Sequence, residues 1–264
     1  MVIDFHTHSF AHTVVDAAIG KLESFSGLKT VTDSTVDGLR AFMAQCGVDI
    51  SVVQPVATKP AQVSVINDWA KKHRCTDMHF FGALHPDDHD FAATAGQLKD
   101  DGFKGVKLHP DYQSFFADED RIMPLYQTLA DLDLTLVLHA GVDNVHPSPV
   151  HCTPLMIRNI IDTVPTLRLV LPHMGSHALW RDAEQLIVGR DIYIDTSYSY
   201  YALKKDGMRR IIDKHGADRV LFGTDFPWKR ADEEIENIRA LGLSKADTEA
   251  ILFRNAQRLL GLSD

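Results

Sequence analysis

Short apolar runs alternate with amphipathic stretches along the chain. Runs at Val2–His6, Ile50–Pro55, His79–Leu84, Gly105–His109, Thr135–His139, Leu167–Pro172, Ile192–Asp195 and Val220–Gly223 predict eight strands. Most are nearly continuous in apolar character, as in Leu134-Thr135-Leu136-Val137-Leu138. That is the pattern of parallel strands covered on both faces. Helix signals lie between them. Ser34 or Thr35 can cap a helix carrying Val36, Leu39, Phe42 and Met43. Thr153-Pro154 pairs an N-cap with an N1 proline ahead of Leu155, Ile157, Ile160 and Ile161. Ala231–Leu241 is a further helix, and Ser244 with Asp247 opens a last one that ends near Gly261. This alternation, without a linker-like break, predicts an α/β fold: a single-domain (β/α)8 TIM barrel over residues 1–264. A doubly wound open sheet would carry a glycine-rich phosphate loop after its first strand, and Thr7-His8-Ser9 is not one.

Composition narrows the class. The 264 residues carry 27 Lys+Arg against 36 Asp+Glu, a net charge of −9, with 45% apolar and 24% charged residues. These values fit a globular domain and exclude disorder. No apolar run approaches the ~18 residues that cross a membrane. No basic-then-apolar leader follows Met1, so no signal peptide is expected. The acidic balance argues against nucleic acid as a partner. Cys46, Cys75 and Cys152 are odd in number and far apart, which predicts a reducing cytoplasm and no disulfide framework.

The one departure from ordinary composition is 14 histidines. On the barrel reading, His6, His8, His12, His85, His89, His109, His139, His146, His151, His173 and His177 lie at or after the C-terminal ends of predicted strands. That rim is where such barrels do their chemistry. Only His73, His79 and His215 fall elsewhere. Neutral imidazole is the commonest protein ligand for divalent zinc-type ions. In His6-Thr7-His8 the two rings, at i and i+2 of a strand, point to one side and can reach one ion. Asp225, in Gly223-Thr224-Asp225-Phe226-Pro227, ends the last strand, which in a closed barrel neighbours the first. His139 and His173 end the fifth and sixth strands and point into the same mouth.

This set, H-x-H on strand one, His on strands five and six and Asp on strand eight, resembles the amidohydrolase superfamily of metal-dependent hydrolases. Asp4-Phe5-His6-Thr7-His8, Leu171-Pro172-His173-Met174-Gly175 and Phe222-Gly223-Thr224-Asp225-Phe226-Pro227-Trp228 are similar to the branch that includes aminocarboxymuconate-semialdehyde decarboxylase. The resemblance spans essentially the whole chain. It implies Zn2+, Mn2+ or another divalent metal, one or two ions, and activation of water on it. It implies His6, His8, His139 and Asp225 as ligands of a single ion, with His173 as acid/base or substrate polariser. In two-metal members His139 and His173 hold a second ion, bridged by a carbamylated lysine on strand four. Lys107, in Gly105-Val106-Lys107-Leu108-His109-Pro110, resembles that lysine segment of dihydroorotases. The other reading of Lys107 is an ammonium that anchors a substrate carboxylate.

The expected function is hydrolysis of an amide, lactone or related bond of a small carboxylate-bearing molecule, with Asp225 and His173 catalytic. Non-oxidative decarboxylation on the same ligands is the alternative, because a metal also serves as an electron sink for C–C cleavage. Phosphoester hydrolysis ranks below both: TatD-type nucleases place Glu where Lys107 stands. Expected substrate contacts are His109, Tyr112, His151, His177, Tyr198 and Trp228 on the rim loops. The long connection Ser9 to Asp33 leaves two readings, a lid over the mouth or a short helix that packs a homodimer.

Overall fold

The computed structural model describes residues 1–262; Ser263 and Asp264, the end of the expected domain, lie outside the described residues. Parallel strands form the staves of a barrel: β1 (Ile3–Thr7), β2 (Ile50–Val53), β3 (Met78–Phe80), β4 (Gly82–Ala83), β5 (Gly105–Leu108), β6 (Thr135–Leu138), β7 (Leu169–Leu171), β8 (Tyr193–Asp195) and β9 (Val220–Leu221). Two runs of pairing, β1-β2-β3 and β4 through β9, make up the wall. β3 and β4 are one stave interrupted at Phe81, so the expected strand His79–Leu84 is present in two pieces. Phe81 still donates to the Val53 carbonyl at 2.9 Å, which carries the wall across the break. The barrel closes where the Phe5 amide donates to Phe222 at 2.8 Å and the Asp225 amide to His6 at 2.9 Å. Asp4 adds a polar clasp, accepting from the Thr224 amide at 3.0 Å and its hydroxyl at 2.6 Å.

Alternation along each stave divides the side chains between two cores. Val106, Leu108, Leu136, Leu138, Leu169, Leu171, Ile194 and Val220 pack outward against the helices. Ile3, Phe5, Val52, Phe81, Val137, Val170 and Leu221 fill the lower interior, and Ala256, Leu259 and Leu260 plug it from below. The helices follow the pattern expected from sequence. They are α1 (Val15–Ser26), α2 (Val36–Cys46), α3 (Val63–His73), α4 (Phe91–Asp100), α5 (Pro110–Gln113), α6 (Met123–Asp131), α7 (Pro154–Thr163), α8 (Trp180–Leu186), α9 (Tyr200–His215), α10 (Ala231–Arg239), α11 (Lys245–Glu249) and α12 (Asn255–Leu260). Thr35 caps α2 through the Gly38 amide at 3.0 Å, and Ser244 caps α11 through the Asp247 amide at 3.0 Å. Gly261 ends α12 in the left-handed conformation. No described helix is long and apolar enough to cross a membrane. The three cysteines are unpaired.

One irregularity positions the site. Asp4 pairs with Ser51 and Thr7 with Val53, so β1 spends one residue more than β2 over the same stretch. This bulge lets Phe5 join the lower interior while both His6 and His8 reach Asp225.

Candidate metal centre

Above the apolar floor lies a cavity of about 550 Å³ at the C-terminal ends of the strands. Seven histidines line it: His6, His8, His109, His139, His146, His173 and His177. Donor atoms of His6, His8 and Asp225 gather within 4.8 Å of one another. The two Nε2 atoms face each other at 3.1 Å, and Asp225 Oδ1 lies 3.4 Å from His6 and 3.3 Å from His8.

The partners of these rings fix where their protons are. His6 Nδ1 lies 2.8 Å from the buried Asp195 carboxylate, which can only accept. His8 Nδ1 lies 2.9 Å from the Gln54 carbonyl oxygen, which also only accepts. Each neutral ring therefore carries its hydrogen on Nδ1 and turns a bare Nε2 lone pair inward. Burial holds the His8 imidazolium in disfavour, although Asp225 pulls the other way. Two lone pairs and a carboxylate thus converge with no proton among them. Burial pushes the Asp225 carboxyl up, but its polar surroundings of His8, His6 and His173 hold it below the usual carboxylate range. A divalent cation is the partner that such a donor set fits.

Local backbone geometry supports the arrangement. Gly223 has no side chain to spare: a Cβ there would lie 2.8 Å from the His6 Cβ. His173, Tyr198 and Asp225 adopt φ of 60°, 48° and 65° at the rim. Such non-glycine conformations cost on the order of 1–3 kcal/mol each and cluster at functional sites.

The other expected site residues fall into place unevenly. His139 and His173 line the cavity but do not join the His6–His8–Asp225 cluster at that spacing. His139 Nε2 is buried without a partner. His173 Nδ1 lies 3.1 Å from the Ser197 carbonyl, so its Nε2 is the bare nitrogen. Burial lowers the His173 pKa to about 3. His139 is also held well below the usual imidazole range, through burial and the neighbouring His109 and His173. Lys107 projects from β5 into the cavity with Nζ unpartnered. Burial lowers its pKa to about 8, against the pull of Asp195 and Asp225.

Tyr112, His109 and His139 form a stacked column, with centroids 3.8 and 4.0 Å apart and planes within 9°. Asp143 accepts from the Tyr112 hydroxyl at 3.2 Å. Donor atoms of His109, His139 and Asp143 form a second close group. Stacked rings send their lone pairs along parallel planes instead of toward one point, so this group suits orientation of His139 better than a second ion. Tyr198, His177 and Trp228 line the cavity. His151 does not: its Nδ1 is drawn 2.8 Å from Asp111 Oδ1 and its ring stacks on Phe116, outside the lining. The connection after β1 holds α1, whose Ala18, Lys21, Leu22 and Ser26 line the mouth.

Sequence reasoning missed Asp195, Gln54 and Asp143. The available signal for Asp195 was a lone carboxylate closing the apolar run Ile192–Asp195.

Comparison with known proteins agrees with this architecture. The gamma-resorcylate decarboxylase of Polaromonas sp. (strain JS666 / ATCC BAA-500) is 27% identical, over 69% of this chain and 70% of that protein. Among solved structures, Metarhizium anisopliae IDCase superposes with a TM-score of 0.75 at 20% identity, covering 100% of this chain and 98% of the other. A dihydroxybenzoic acid decarboxylase from Polaromonas sp. JS666, with bound manganese and 2-nitroresorcinol, superposes with a TM-score of 0.74 at 18% identity, covering 98% and 96%. At these identities the two structures show the fold. The amidohydrolase family model matches residues 3–262, and the chain belongs to that family.

Proposed function

We propose that the chain is a metal-dependent, non-oxidative decarboxylase of small aromatic acids. The observation that carries this reading is the proton-free convergence of His6 Nε2, His8 Nε2 and the Asp225 carboxylate at the base of the cavity. His6, His8 and Asp225 would hold the ion, with His139 as the fourth ligand. When bound, the ion supplies Lewis acidity toward the substrate's oxygens and draws electron density from the breaking C–C bond. The named decarboxylase relatives support this alternative over the hydrolysis expected first, and the manganese-bound neighbour supports Mn2+ beside Zn2+.

The chain's own residues have separable parts. The acid's ring sits between the Tyr198 and Tyr112 sides of the cavity, with α1 and Trp228 over the mouth excluding water. His173, with its hydrogen committed to the Ser197 carbonyl, turns its bare Nε2 inward and would take the proton of a substrate hydroxyl, leaving a phenolate oxygen. It returns that proton to the carbon that the carboxylate leaves, so the C–CO2 bond breaks as a C–H bond forms. His109 and Tyr112 keep the His139 ring in plane by stacking.

The test is carbon dioxide release by protein loaded with Mn2+ or Zn2+, from a panel including 2,6-dihydroxybenzoate and 5-carboxyvanillate. Amide and lactone panels run beside it. Release from aromatic acids is expected; hydrolysis alone would return the protein to the hydrolase reading. His6→Ala/His8→Ala is expected to lose bound metal by mass spectrometry and keep its circular dichroism.

A further inference from the structure

The chain as a whole carries a net charge of −9, which repels anions. The cavity has the opposite balance. Its lining holds three lysines, Lys21, Lys59 and Lys107, against two carboxylates, Asp143 and Asp225. Both carboxylates are already engaged. Asp225 is held between His6 and His8. Asp143 accepts from the amides of Val145 and His146 at 2.9 and 2.8 Å and from the Tyr112 hydroxyl at 3.2 Å.

Lys21 and Lys59 stand on the connections that follow β1 and β2, which are paired strands. Ala18, Lys21, Leu22 and Ser26 make up one face of α1, and that face lines the mouth. On the other connection, the Thr58 hydroxyl and the Lys59 amide donate to Gln62 Oε1 at 3.0 and 3.1 Å. These bonds fix the backbone and leave the Lys59 ammonium uncommitted. Both lysines are exposed. Among the described residues neither ammonium pairs with a carboxylate, whereas Lys29 on the first connection is taken by Glu23 at 2.7 Å.

Exposure decides what such cations do. An exposed ion pair adds little lasting affinity, because water screens it and long side chains lose freedom in making it. A charge at a rim acts on encounter instead. It raises the local concentration of an oppositely charged ligand and speeds association, and salt weakens the effect.

We propose that Lys21 and Lys59 capture the anionic substrate at the mouth and steer it in against the chain's overall negative field, setting its association rate. This rests on the reading of the substrate as an acid and extends it to sorting by charge. The acid is drawn in, and the neutral ring left by loss of the carboxylate is not drawn back.

The test is stopped-flow association of manganese-loaded protein with 2-nitroresorcinol in its ionised form, followed by quenching of tryptophan fluorescence, with neutral resorcinol beside it. Raising sodium chloride from about 20 to about 500 mM is expected to slow wild-type association of the anion roughly fivefold and leave that of resorcinol unchanged. Lys21→Met/Lys59→Met is expected to lose most of the low-salt advantage, keeping only the pull of the bound ion, with the dissociation rate and the resorcinol rates unchanged. Lys21→Arg/Lys59→Arg is expected to behave as wild type. The proposal is overturned if the anion fails to associate, or if the Met variant keeps the wild-type rate and salt dependence. It is equally overturned if the loss lies in dissociation, which would make the lysines a holding contact. Charge-steered association without carbon dioxide release from the acid panel would overturn the decarboxylase reading alone. Carbon dioxide release with association indifferent to the lysines would overturn this proposal alone.

Discussion

Asp195 is 189 residues from His6 in sequence and 2.8 Å from it in space. Its carboxylate also accepts from the Ser197 hydroxyl and from two backbone amides, which fixes the tautomer of His6 and the seat of His173 together. Burial alone would raise its pKa, but His6, His173 and Ser197 hold it below the usual carboxylate range. Carboxylates behind a metal-binding histidine typically contribute 10–100-fold to affinity. Asp195→Asn is therefore expected to weaken manganese binding by about that factor, read by chelator competition, without unfolding the barrel. An unchanged affinity would mean that the pair only packs. At this scale, the chemistry of single side chains was legible where a motif names them, as in His6-Thr7-His8 or Asp225. Asp195, Gln54 and Ser197 act through a partner on another strand, and no local pattern marks such a pairing. His151 failed for the converse reason: it sits in the right loop, but Asp111 pulls it aside.

Among the elements that line the cavity mouth, α1 is thinly anchored. Val15 is its only buried residue, and its flank is tied by the Val31 amide to Pro227 at 2.9 Å and by Glu23 to Thr30 and Lys29. Elements with few buried contacts open locally at low cost. Amides of Val15–Ser26 are expected to exchange with deuterium faster than those of β5 through β7, and to slow when manganese-loaded protein binds 2,6-dihydroxybenzoate. Equal protection in both states would make α1 a fixed wall. The strands were legible because each carries a buried apolar run, and the caps because Thr35 and Ser244 announce them. The extra residue in β1 and the break at Phe81 were not, since a register slip leaves the apolar pattern intact. The connection that holds α1 left two readings, a lid or a short helix that packs a homodimer, because few of its apolar residues enter a core: Ala18 and Leu22 line the mouth, and Val14 and Phe25 are exposed.

For the whole molecule, acid is the expected weakness. His215 is buried at the end of α9, accepting from the Gly189 amide at 3.0 Å and donating to the Ile192 carbonyl at 3.0 Å. Burial lowers its pKa from 6.5 to about 4. Above pH 6.5 neither the native nor the unfolded chain protonates it. Between there and about pH 4, the unfolded chain binds a proton that the native chain refuses. Stability therefore falls as pH falls, by about 3 kcal/mol from this group when complete. Urea melts of wild type and His215→Asn from pH 7.5 to 4.5 check this: the variant starts less stable and declines less steeply. Parallel slopes would rule His215 out as a source of acid sensitivity.

The plug of Ala256, Leu259 and Leu260 beneath the inner core has a kinetic meaning as well as a structural one. A tube sealed at one end is a cul-de-sac, and its traffic runs both ways through the gap beside α1 and Trp228. On the proposed decarboxylase reading, incoming acid and outgoing ring cannot pass each other there. Resorcinol, the ring left by 2,6-dihydroxybenzoate, is therefore expected to inhibit competitively, raising KM without lowering kcat. A noncompetitive pattern would mean that resorcinol also binds the substrate-loaded protein, and so at a place other than the sealed cavity.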